Sequence, residues 1–263
     1  MALSSKSPAS TFKDLLTIEN SNNGVDSTLR NVNTGNGTNT STSISNRSLK
    51  VQSTTDNTSA LDIQNAAGST KFVVDTTNSQ VKALGTHLNT QYAHFGVGAS
   101  DSNNFEANTH HALPFTTLAI GSSSVQANIT FGTSGEPATT FTTADGANTD
   151  ASLLVPVMWY VPDNISIDNI YHIEGGDEGT GDTTRMHLYS YTFTSGSTSA
   201  LTSGTLLAHN NDITNAGSEQ AYLGTWTVDS ASVTAGKVIL AFFRSDSVNS
   251  NYSVNLTVKY HLT

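Results

Sequence analysis

Residues 59–84 read SALDIQNAAGSTKFVVDTTNSQVKAL. The large apolar side chains fall at alternate positions: Leu61 and Ile63, then Phe72 and Val74, then Val81 with Ala83. That is the period of a strand with one apolar face. The intervening QNAAGST and DTTNSQ are rich in Asn, Asp, Gly, Ser and Thr, the residues that build tight turns. Upstream, Leu49 and Val51 show the same alternation ahead of the turn-rich STTDNTSA. Ordering the backbone of residues 28–84 costs more conformational entropy than burial of these few large side chains returns. Residues 25–112 are therefore expected to form a slender stem and hinge in which copies of the chain bury one another's apolar faces. The candidate stem core is Leu49, Val51, Leu61, Ile63, Phe72, Val74 and Val81. A flexible linker is the alternative that the composition permits.

Only 12% of the 263 residues are charged and 8% are aromatic, which points to many short strands joined by turns. The absence of cysteine excludes disulfides, thiolate metal sites and a cysteine nucleophile. A net charge of −10 with 11 Lys and Arg and no basic cluster argues against a nucleic-acid partner. No apolar run approaches the roughly 18 residues of a membrane span. The opening MALSSKSPASTFKDLL lacks the apolar core of a secretory signal.

Residues 7–16 carry a helix signal: Ser7 as N-cap, Pro8 in the first turn, and Phe12, Leu15 and Leu16 sharing a face. So short a helix is not stable alone in water. Residues 1–24 are expected to be an anchor that docks on a partner through Phe12, Leu15 and Leu16.

After GVGASDSNNFEANTHHA (96–112), read as a hinge, aromatic and β-branched residues become frequent. LLVPVMWYVP (153–162), TRMHLYSYTF (184–193), LGTWTV (223–228), KVILAFF (237–243) and SVNLTVKYHL (253–262) read as strands. The spacing, without a helical period, predicts an antiparallel β-sandwich over 113–263, a length sufficient for its own core.

The opening SKSPASTFKDLLTIENSNNGV, the strand-and-turn array ALDIQNAAGSTKFVVDTTNSQVKAL and the closing GKVILAFFRSDSVNSNYSVNLTVKYHLT together resemble virion-attached fibre and decoration proteins of tailed bacteriophages, particularly marine ones. The resemblance is one of style and order over most of the chain, without a catalytic or ligand motif. It implies an all-β homotrimer on the virion surface, its N-terminus bound to capsid or tail proteins and a jelly-roll-like tip pointing outward. Apart from the resemblance, Trp159, Tyr160, Tyr189, Tyr191, Tyr222 and Trp226 supply rings of the kind that stack on sugar faces, which makes a host surface glycan a candidate ligand of the tip. A tail fibre or tailspike with depolymerase activity is the alternative.

No catalytic or cofactor site is expected, and the chemistry-bearing residues are read as structural. Glu174, Asp177, Glu178 and Asp182 crowd a glycine-rich stretch that would suit calcium, but without EF-hand spacing. They are taken as a solvated loop. His110, His111, His172, His187, His209 and His261 lack zinc-site spacing and are expected on strand surfaces and in turns, with three copies of one histidine at a trimer axis as the exception. Glycosidase chemistry needs paired carboxylates across a cleft, for which Glu174 with Asp182, or Asp163 with Asp168, are candidates whose geometry the sequence leaves open. Tyr189 and Tyr191 run out of phase with Met186 and Leu188, so one pair is expected to face solvent or a neighbouring subunit. Tyr189 and Tyr191 are taken as the candidate tip contact surface.

Overall fold

The computed structural model describes residues 15–18, 20–21, 23–98, 106–115, 131–133, 135–143, 151–177, 179–198, 201–217, 220–247 and 251–263. The protein is all-β with antiparallel sheets, and it divides into residues 1–88 and 89–263. Among the described residues no helix is long and apolar enough to cross a membrane.

The first unit holds two four-stranded sheets. One joins β1 (Leu16–Ile18), β2 (Arg30–Thr34), β3 (Asn39–Ile44) and β4 (Leu49–Val51) in sequence order. Leu16 is thus in a strand and not in the expected helix. Leu15 precedes that strand without helical structure, and the rest of the helix signal, residues 7–14 with Phe12, lies outside the described residues. The other sheet joins β5 (Leu61–Gln64), β6 (Thr70–Asp75), β7 (Gln80–Ala83) and β8 (Thr86–His87). Its turns are made by the residues the sequence offered. Asn65 Oδ1 accepts from the Ala67 and Ser69 amides at 3.1 and 2.8 Å, and Gly68 takes φ +79°. Asp75 Oδ1 accepts from the Asn78 amide at 2.9 Å. The Asn78 side-chain amide does most to hold the Asp75 carboxyl below its ordinary range.

The second unit is a sandwich. Its first sheet runs β10 (His111–Ala112), β19 (Lys237–Ser245), β13 (Thr183–Phe193), β14 (Leu201–Asn210) and β17 (Trp226–Val228), with β11 (Trp159–Tyr160) and β15 (Ile213–Thr214) alongside. The second runs β16 (Gln220–Gly224), β12 (Ile165–Asp177), β20 (Asn251–Leu262) and β9 (Thr90–Val97), with β18 (Ser232–Val233) beside β12. Residues 89–112 belong to this unit: β9 completes its second sheet and β10 pairs β19. The stretch expected to be stem and hinge therefore contributes core, notably Phe95 at 0% exposure.

A core of Phe95, Ile170, Leu188, Phe243, Leu256 and their neighbours fills the space between the sheets. A second core lies on the opposite face of the first sheet, where Phe131, Phe141, Leu154 and Val157 cover Tyr189, Tyr191, Leu240 and Phe242. Two-sided burial explains why KVILAFF is apolar without alternation. LLVPVMWYVP, expected to be one strand, instead forms a helical turn (Ala151–Leu154), a 3-10 turn (Val155–Val157) and then β11. Pro156 lacks the amide a ladder needs, and its fixed φ suits the turn.

Candidate functional site

Strand register gathers the apolar residues of the first unit. Leu61 faces Val74, which faces Val81, and Ile63 faces Phe72, which faces Ala83. Directly paired residues project to one side, so all six share one face of the β5–β8 sheet. In the other sheet Leu49 pairs Ile44. That face is not enclosed by the chain. Leu49 is 69% exposed and Ile63 53%, and Val51 and Leu61 are also exposed. A recess of about 300 Å³ between Val51, Leu61 and Val74, rimmed by Gln52, Asp56 and Thr76, remains open. Among described residues 15–88 the sole buried side chain is Asn33, and no apolar one is buried. Leu15 and Leu16, taken as anchor residues, are exposed as well.

In the sandwich, Tyr189 and Tyr191 do not form a contact surface. They are 4% and 0% exposed, and Met186 and Leu188 on the other face of β13 are fully buried too. The expectation assumed one wet face. β13 instead lies between β19 and β14, with a core on either side. The tyrosine hydroxyls are held under the covering segment: Tyr189 donates to Glu136 Oε2 at 2.7 Å and Tyr191 to the Ala138 carbonyl at 2.9 Å. Burial pushes both phenols above their ordinary range.

The histidines, expected on strand surfaces and in turns, are mostly interior. His110, His111, His172, His187 and His261 are all buried. His110 and His187 meet edge to face with ring centroids 5.1 Å apart. His110 Nδ1 lies 3.3 Å from the Gly132 carbonyl, and His187 Nε2 lies 3.3 Å from Glu136 Oε2. Neither His110 Nε2 nor the two His187 nitrogens align in a hydrogen bond. Burial, and then the neighbouring positive groups, lowers His110 to about 4 and His187 to about 3. Two others carry carboxylate partners, His209 with Asp229 and His261 with Asp168, each at 2.8 Å.

Glu174 departs furthest from expectation. It projects into the sandwich from β12 at 1% exposure, where the Thr184 hydroxyl donates to its Oε1. His172 Nε2 lies 3.5 Å from its Oε2, and the Trp226 indole donates to His172 Nδ1 at 2.5 Å. The indole bond fixes His172 Nδ1 as the acceptor, which leaves the proton on Nε2, toward the carboxylate. Gly224, paired with His172 across β16, makes this possible, because a Cβ there would stand 1.6 Å from the imidazole. Glu174 is thus a buried structural carboxylate and not part of a solvated loop. Asp182 meanwhile closes a turn by accepting from the Gly179 amide at 2.9 Å. Glu178 lies outside the described residues.

The open apolar groups of the sandwich lie elsewhere. Tyr92, Tyr171, Ile173 and Leu223, exposed between 47 and 76%, project from the outer face of the β16–β12–β20–β9 sheet. The sequence concealed them because a bulge between Ile167 and Asn169 shifts the alternation of β12. Ile165 and Ile167 point inward before it, and Ile170, His172 and Glu174 after it. Tyr171 and Ile173, in phase with the first isoleucines by sequence, are turned outward.

No protein-family model matches this chain, and no curated protein matches it.

Proposed function

We propose that this is a structural virion protein of a tailed phage. It is a homotrimer whose residues 25–88 intertwine as a β stem, whose first 24 residues attach to a capsid or tail protein, and whose sandwich points outward toward the host surface. The observation that carries the reading is the first unit's regular antiparallel sheets with aligned apolar faces and, among its described residues, not one buried apolar side chain. Sheets become independently stable when such a face is covered. Copies of the same chain supply that cover with identical strands, and symmetric self-association is the commonest way to provide it. The virion setting rests on the resemblance of the anchor, strand-and-turn array and closing strands.

Light scattering on the full chain after size exclusion tests the assembly, with a mass of three times 27.7 kDa expected. A monomer whose first 88 residues are rapidly cleaved by protease would overturn it. Antibodies against the purified protein are expected to decorate phage particles in electron micrographs, and unlabelled particles would overturn the virion assignment.

A further inference from the structure

We propose that the outer face of the β16–β12–β20–β9 sheet is a second interface between copies of this chain, joining the sandwiches of the trimer independently of the stem. The inference rests on the trimeric reading and adds a surface to it.

The face has an apolar centre. Ile173 of β12 pairs with Leu223 of β16 across the ladder, at 57% and 76% exposure, and Tyr171 stands two residues along the same face. Tyr92 of β9 lies beyond Lys259 of β20, to which it is paired. Large apolar side chains grouped on one flat sheet mark an interaction surface more strongly than the same residues scattered singly. The two sandwich sheets also differ: the outer face of the first is covered by this chain's own Phe131, Phe141, Leu154 and Val157, whereas the second presents its aliphatic pair and tyrosines outward.

Two further features select a second copy as the occupant. The first is charge. The chain carries −10, so copies repel unless they meet through a surface with little of that charge. Across the paired rows from Ile173 to Lys259, the outward residues of β12, β20 and β9 are Tyr171, Asn169, Asn255, Thr257, His94 and Tyr92, with Lys259 as the one fixed charge. These central rows carry no carboxylate, and the outward Asp168 beside them is tied to His261 at 2.8 Å; so nearly neutral a centre on so acidic a chain is suited to self-contact. The second is size. Strand rise and spacing give the four strands a face of about 600 Å², most of the roughly 800 Å² per partner of a standard interface. Tyrosines flanking an aliphatic centre are the composition such interfaces favour.

The chain has no cysteine, so Ile173→Cys and, separately, Leu223→Cys each place a single thiol on the face. Thr227→Cys on the exposed side of β17 serves as the reference. In the full-length trimer the thiols at 173 and 223 are expected to react with a maleimide at least tenfold more slowly than the reference. They should recover the reference rate when dilution dissociates the trimer. A trimer by light scattering in which both thiols react at the reference rate overturns this interface and leaves the stem standing. A monomer by light scattering with all three rates equal removes stem and interface together. Protection that requires added oligosaccharide shows a glycan-binding face and likewise overturns the proposal.

Discussion

The imidazoles of His110 and His187 stack edge to face at 5.1 Å inside the sandwich, both excluded from solvent and both in the neutral form near neutral pH. His110 enters from the segment before β10, and His187 from the centre of β13. Glu136 of the covering segment reaches the same place, 3.3 Å from His187. Arg185, Arg244, His209 and Asp229 are the other charged or titratable groups that act on the pair.

Acid should therefore loosen the sandwich. The folded pKa values, about 4 and about 3, lie below the ordinary 6.5. Between those limits the unfolded chain binds more protons, so stability is complete above about 6.5 and is lost as pH falls toward 4 and then 3. Full protonation would cost on the order of 3–5 kcal/mol at each imidazole, and the two are coupled. Urea titrations at pH 7 and pH 5 are expected to show a lower midpoint at pH 5, with a smaller difference in His187→Leu. An equal loss in both proteins would refute the assignment.

Gly224→Ala should be among the most damaging single changes in the sandwich. Its methyl would meet the His172 ring at 1.6 Å, and that ring is wedged between Trp226 and Glu174. The expected cost is about 1–3 kcal/mol in denaturant titration. Gly135→Ala, with nothing within 4 Å of the added carbon, should change stability by less than about 0.5 kcal/mol. Comparable midpoints for the two variants would show that the imidazole has room to move.

Thr184 and Glu174 should be energetically coupled. Thr184→Val removes the donor to a buried carboxylate oxygen and is expected to cost about 1–3 kcal/mol. A double-mutant cycle with Glu174→Gln should return an interaction term of about 0.5–3 kcal/mol. Additive losses would indicate that the carboxylate is satisfied without Thr184.

In the stem, Leu61→Asp with Ile63→Asp separates a free chain from an assembled one. Both side chains are exposed in the single chain, where surface changes of this kind typically shift stability by about 0.5 kcal/mol or less. Within a trimer they would place charge in a dry interface. The scattering mass is then expected to fall from three chains to one, and an unchanged mass would move the contact elsewhere.

Much of the architecture was legible in the sequence, because strand periodicity and turn chemistry are local. LDIQ, KFVVD and QVKA form strands, and QNAAGST and DTTNSQ form the turns between them, since Asn65, Gly68 and Asp75 close those turns with their own side chains or backbone. The alternation over 252–262 likewise sets the inward face of β20. The tertiary structure decided which faces are covered. A pattern along one strand does not reveal what packs on its far side, so Tyr189 and Tyr191 were exposed candidates by phase and are core by contact. A single extra residue in β12 reversed the sides of Tyr171 and Glu174, because side-chain direction has a period of two and a bulge changes its parity. Sequence by itself determined the strands and turns, through interactions that span a few residues. Which histidines and carboxylates are buried together, and which aromatic rings remain at the surface, depended on contacts between residues far apart in the chain.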